Sequence, residues 1–156
     1  MNLSDLISHD SVTFSLAATT KKQALEELAQ AAAPLAKIDP KDLFNSLLQR
    51  ERLGSTALGR GIAVPHVHVR GLTKIVCHFA RLAKPIDFEA PDKQPVDLMF
   101  LLLSPEFASG DHLKALARIS RLVRDTASIE KLRAAKSMDG LRTVLLPPPA
   151  EAPHAA

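Results

Sequence analysis

Apolar residues recur at helical intervals in two stretches near the start of the chain. Ala24, Leu25, Leu28 and Ala32 follow the capping-box spacing of Thr20-Lys21-Lys22-Gln23, which predicts a helix closed by Pro34. A second helix is expected from Asp39, with Pro40 in its first turn and Leu43, Phe44, Leu47 and Leu48 as its buried stripe. Arg50 and Glu51 fall in its last turn, and Gly54 lies just past its end. Beyond Gly54 the period changes. Gly54, Gly59 and Gly61 punctuate a loop that enters the short β-branched segment Ile62-Ala63-Val64. Thr73 to Leu82 alternates as a strand, with Ile75, Cys77 and Phe79 on one face and Val76, His78 and Ala80 on the other. Val96 to Leu103 is almost continuously apolar after Asp97, as in a central strand covered on both sides. A helix is expected over about 111–124, with His112, Leu116, Ile119 and Val123 on one stripe, and two more over about 128–136 and 137–145. Helices around central strands predict an α/β sandwich.

Composition narrows the possibilities. The 156 residues suit one domain over 1–146, followed by a Pro/Ala-rich tail, 147–156, expected to be extended and disordered. A net charge of +3 is too small to argue for nucleic acid or an anionic membrane, and the absence of Trp and Tyr removes most base-stacking platforms. The single Cys77 excludes an internal disulfide and a multi-cysteine zinc site, and fits a reducing cytoplasm. The longest strongly apolar run, Leu98 to Leu103, falls far short of the ~20 residues of a membrane span. The N-terminus, with Asp5, His9 and Asp10, lacks the pattern of a signal peptide. The expectation is a cytoplasmic protein with neither membrane insertion nor a nucleic-acid partner.

Several catalytic signatures are missing. Gly59-Arg60-Gly61 lacks the third glycine of a dinucleotide fingerprint and precedes a strand, and no P-loop or Gly-x-Ser-x-Gly elbow occurs. His66 and His68 would share a face of an extended strand, so a His-x-His metal site with a third ligand from His78 or His112, and a hydrolytic activity, is one alternative. The run from Arg50 to His66 suits a phosphoryl group better. Arg50 offers a planar donor fork, Ser55 and Thr56 offer hydroxyls, Gly54 lets backbone amides approach oxygens, and His66 follows Pro65 as a displayed nucleophile.

That run reads Arg50-Glu51-x-x-Gly54-Ser55-Thr56, then Gly59-x-Gly61-Ile62-Ala63-x-Pro65-His66. Pro85-Ile86-Asp87-Phe88, Gln94 to Leu98 and His112-Leu113-Lys114 follow in order. Over about 3–146 the chain resembles the EIIA component of the phosphoenolpyruvate phosphotransferase system, of the nitrogen-related type that is a sister of fructose and mannitol EIIA domains. The resemblance implies a central mixed sheet of about five strands with helices on both faces. It implies that His66 accepts a phosphoryl group from an HPr/NPr-type phosphocarrier, with Arg50 and His112 completing the site, and that target proteins, in potassium transport or among sensor kinases, respond to the phosphorylation state. It implies a phosphotransfer component without metal or cofactor, rather than a stand-alone enzyme. A standalone fructose- or mannitol-type sugar EIIA is the alternative within the family. Many relatives read Pro-His-Gly-Lys where this chain has Pro65-His66-Val67-His68, so a titratable group stands in place of a permanent cation.

Overall fold

The computed structural model describes residues 3–107 and 109–146. The proline-rich tail, 147–156, lies outside the described residues. A short helix α1 (Leu3–Leu6) leads into strand β1 (Val12–Leu16), followed by helices α2 (Lys21–Ala36) and α3 (Pro40–Arg52). The expected caps form. The Thr20 hydroxyl accepts from the Gln23 amide and starts α2, while the Gln23 carboxamide oxygen reaches back to Thr19 instead of Thr20. The Asp39 carboxylate accepts from Lys41 N–H and starts α3. Pro34 does not close α2, which runs two residues further and ends where Lys37 turns left-handed at φ 54°. A proline in the last turn removes one backbone donor but leaves room for the chain to finish the turn.

Four short strands and two long ones build the sheet. After α3 come β2 (Ala57–Gly59), β3 (Ile62–Ala63), β4 (His66–Val69), β5 (Val76–Ile86) and β6 (Val96–Pro105). The order is β1-β5-β6-β3-β2, with β4 also paired to β6. Neighbours β5–β6 and β2–β3 are antiparallel, whereas β1–β5, β3–β6 and β4–β6 are parallel, so the sheet is mixed. Six strands stand where about five are expected, because one extended stretch, 62–69, is broken at Val64-Pro65 into β3 and β4. Both halves lie along the same edge of β6, and Leu102 N–H donates to Pro65 O across the break. The turn from β2 to β3 needs its glycine. Arg60 and Gly61 both have positive φ, and a Cβ on Gly61 would sit 2.6 Å from the Arg133 guanidinium.

Helices α4 (Ser109–Arg124), α5 (Thr126–Ala134) and α6 (Met138–Leu145) complete the chain. The sheet separates two apolar layers. Leu25, Leu28, Leu43 and Leu47 of α2 and α3 pack on Ala80, Met99, Leu101 and Leu103. Ile119, Leu132 and Leu141 of α4, α5 and α6 pack on Cys77, Phe79, Phe100 and Leu102. The two faces of β5 are those its alternation predicts.

His78 lies in the first of these layers, only 2% exposed. Its Nε2 is 2.8 Å from the Thr13 hydroxyl, and its Nδ1 is buried without a partner. Burial pushes its pKa down to about 4 from the ordinary 6.5. Between those values the unfolded chain binds the proton and the folded one does not, so stability falls as pH falls through that window. The expected loss from pH 6.5 to 4 is about 3 kcal/mol. Urea unfolding across that range checks it: the pH slope should be markedly smaller in His78→Gln than in the parent protein.

Candidate functional site

Strand β4 carries His66 and His68 on one face, two residues apart. In register they lie opposite Leu102 and Ser104 of β6. The first turn of α4 brings His112 over the same face, and the C-terminal turn of α3 brings Arg50 to the open side of β4. The His66 and His112 ring centres are 5.5 Å apart and those of His68 and His112 are 4.9 Å apart. Three histidines and Arg50, spread over 63 residues of sequence, thus share one cleft, whose other walls include Ser46, Gln49 and Leu53. A second cleft of about 280 Å³ adjoins it and shares Arg50 and His66, with Ser55, Thr56, Leu116 and Ser120 around it. No carboxylate is among the residues lining either cleft. The arrangement favours an anion.

Each imidazole is held by its Nδ1. His66 Nδ1 lies 2.8 Å from Val64 O, and His68 Nδ1 lies 3.2 Å from Pro105 O. A carbonyl oxygen only accepts, so both nitrogens carry hydrogen and both rings present Nε2 as the lone-pair nitrogen. His112 Nδ1 lies 2.5 Å from the hydroxyl of Ser104, which is wholly buried. His112 is 9% exposed, and its pKa is lowered, first by burial and then by the neighbouring imidazoles of His66 and His68. It therefore stays neutral more readily than an ordinary histidine.

The loop between α3 and β2 is organised from within. Arg50 donates from one guanidinium nitrogen to Gly54 O at 3.0 Å, and Gly54 N–H donates to Glu51 O. The Ser55 hydroxyl donates to Phe88 O and accepts from Ala57 N–H. Glu51 takes the Thr56 amide on one carboxylate oxygen and the Thr56 hydroxyl on the other. Its charge is met by the Lys21 ammonium at 3.1 Å, and Lys21 also lies 4.8 Å from the centre of the Phe88 ring. Both hydroxyls that sequence reasoning offers to a ligand thus already have protein partners. Ser55 and Thr56 line the second cleft through the loop they shape, and Gly54 supplies the carbonyl that fixes Arg50.

Sequence reasoning names His66, His112, Arg50, Ser55, Thr56 and Gly54; the first five line the two clefts, and Gly54 lines neither, meeting the site only through the carbonyl that accepts from Arg50. That reasoning missed Ser104, Glu51 and Lys21. The signal for Ser104 was its alternation with Leu98, Phe100 and Leu102 on one face of β6, which puts a hydroxyl under whatever follows the strand. The His-x-His metal alternative fares worse. His78, one of its two candidate third ligands, lies on the opposite face of the sheet with Thr13. Among the described residues no group of three His, Cys, Asp or Glu side chains is placed to hold a metal ion.

The fold and the sequence both find counterparts. The family model for the phosphoenolpyruvate-dependent sugar phosphotransferase system, EIIA 2, matches residues 5–146. A nitrogen regulatory protein of Bradyrhizobium diazoefficiens is 51% identical over 152 residues, covering 97% of this chain and 99% of that one. One from Escherichia coli K12 is 35% identical over 146 residues, covering 93% and 90%. The crystal structure of nitrogen regulatory protein IIA-Ntr from Neisseria meningitidis superposes with a TM-score of 0.85 at 31% identity, covering 92% of this chain and 98% of that one. No helix among the described residues is long and apolar enough to cross a membrane. With residues 5–146 of the 156 inside the family match, the chain belongs to the EIIA 2 family of the phosphoenolpyruvate-dependent sugar phosphotransferase system, and is of its nitrogen-related type.

Proposed function

We propose that this protein is a cytoplasmic phosphocarrier and regulator that accepts a phosphoryl group on Nε2 of His66 from a small HPr/NPr-type carrier. Target proteins then read whether the group is present. The observation that carries this is the His66 imidazole, pinned by Nδ1 to Val64 O beside Arg50 and His112 in a cleft lined by no carboxylate. The donor's P–N bond breaks as the His66 Nε2–P bond forms, and the donor imidazole leaves with the electron pair. The transition state is loose and metaphosphate-like, so placement and charge supply most of the catalysis. Arg50 supplies a permanent cation and a planar donor fork toward the phosphoryl oxygens. His112, held by Ser104, supplies a neutral donor or acceptor at the far wall. The Val64 carbonyl keeps the proton on His66 Nδ1. The phosphorylated ring therefore carries positive charge and remains a good leaving group for onward transfer.

A protein partner has a surface to grip. Leu53 and Leu58 line the two clefts and Leu113 follows His112, and all three are largely exposed. Exposed leucines around a polar centre suit docking of another protein.

The test is incubation with phosphoenolpyruvate, enzyme I and the carrier, followed by intact-mass measurement. One added phosphoryl group, mapped to His66, supports the reading. No gain in mass, or a group mapped elsewhere, overturns it. In Arg50→Ala the same assay should show transfer slowed ten- to a hundredfold, the kinetic equivalent of losing a charge-assisted contact of ~1.5–3 kcal/mol. His112→Ala should be slowed as well, with an unchanged circular dichroism spectrum in both variants.

A further inference from the structure

The proposed transfer uses His66, Arg50 and His112 and leaves His68 without a task. Yet His68 is the nearer neighbour of His112, with ring centres 4.9 Å apart and planes tilted by 33°. It also lines the cleft that holds the other three. Its Nδ1 is committed to Pro105 O, so the nitrogen left to gain or lose a proton is Nε2. We infer that His68 is the proton-accepting counter-charge of the site: when His66 becomes phosphorylated, His68 takes a proton from solvent on Nε2 and holds the new dianion. This rests on the function proposed above and deepens it.

The physical argument compares the two histidines that could respond. The phosphoryl oxygens bring up to about two negative charges into a cleft lined by no carboxylate, the cationic His66 ring offsets one, and a proton on a nearby imidazole can offset the remainder. His112 is the poorer acceptor. It is buried, its Nδ1 is tied to the buried Ser104 hydroxyl, and burial disfavours its charged form. His68 is exposed, so water already solvates the charge it would gain. The other charged groups around it do not compete for the role. Arg50, from α3, is a fixed cation in the same cleft. Just past the end of β4, Arg70 pairs with Glu106 at 3.8 Å. Glu106 and Asp111, from the turn after β6 and the start of α4, line the neighbouring hollow with Lys74 and Phe107. Arg50 thus supplies a charge at every pH, and His68 supplies one only when a phosphoryl group calls for it.

The experiment follows each imidazole by NMR between pH 5.5 and 8.5, with and without a phosphoryl group delivered from the phosphotransferase chain or from potassium phosphoramidate. Mass spectrometry and the phosphorus signal show whether His66 carries the group. The His68 titration curve should move to higher pH by about one unit on phosphorylation, while that of His112 moves less. Phosphorylation near neutral pH should therefore take up protons in the parent protein, and several-fold fewer in His68→Gln. His68→Lys, with a permanent cation, should also lose the uptake. A His68 curve that does not move while His66 is phosphorylated overturns this inference alone, and so does a proton gained by His112 in its place. A protein that gains no phosphoryl group on His66 from either donor overturns the proposed function, and this inference with it.

Discussion

His66→Ala is expected to gain no phosphoryl mass from the phosphotransferase chain while keeping its fold. The fold survives because β4 is held by its backbone register with β6, from His66 opposite Leu102 to Val69 opposite Pro105, and not by the imidazole. The side-chain bond lost is the one to Val64 O, worth about 1 kcal/mol at a half-buried position. The phosphoryl group should not move to a neighbour. His112 is buried, with one nitrogen occupied by Ser104. His68 presents the right nitrogen but sits two residues further along the strand, and placement is what the loose transition state demands. Intact mass after incubation with donor decides it. A single stable phosphoryl group on His68 or His112 of the variant would show that the cleft does not select one nucleophile.

Lys21→Met is expected to cost about 3 kcal/mol of stability and to slow phosphoryl transfer as well. Glu51 is a carboxylate whose side chain is only 3% exposed, and its cation is the Lys21 ammonium, itself 15% exposed. Removing that cation leaves a buried charge supported only by the Thr56 amide and hydroxyl. Methionine keeps the apolar stem against Phe88 but cannot meet the charge. The effect should reach the cleft because Glu51 anchors Thr56, and the neighbouring Gly54 carbonyl orients Arg50. A double-mutant cycle makes the attribution specific. Adding Glu51→Gln removes the unpaired charge, so the double variant should recover part of the stability lost in Lys21→Met. Urea midpoints of the four proteins measure it, and strictly additive losses would show that the pair does not act as a unit.

How much of this was legible beforehand depended on what each residue's neighbours in sequence could say. The helices α2 and α3 announced themselves because their caps and apolar spacing are local. Strands β5 and β6 did so by alternation and by a continuous apolar run. By contrast, β2, β3 and β4 are two to four residues long; β3 and β4 owe their place to the edge of β6 and β2 to β3, so beyond the β-branched run Ile62-Ala63-Val64 no local period marks them. Glu51 followed Arg50 in the last turn of a helix, where a solvated acid is the ordinary case. Only the packing of α2 beside α3 brings Lys21 to it and makes it a buried anchor. The cleft residues from Arg50 to His66 were visible as one run because the chain builds that wall continuously. The opposite wall was visible only in part, since His112 stood out as a histidine on an apolar stripe, whereas Ser104 was marked by nothing but its place in the alternation of β6.

The break at Val64-Pro65 places His66 at the first position of a strand already paired to the centre of the sheet. A nucleophile at that position would ride on a strand paired to the sheet instead of on a lid. Adding a phosphoryl group to such a mount is then expected to leave the backbone around it where it was. Partners that tell the two forms apart would then be weighing an electric field on an unchanged relief, and ordinary salt should blunt their discrimination. A protein of this build would be a sensor whose contrast dims with ionic strength, a property that binding measured across a salt series would expose.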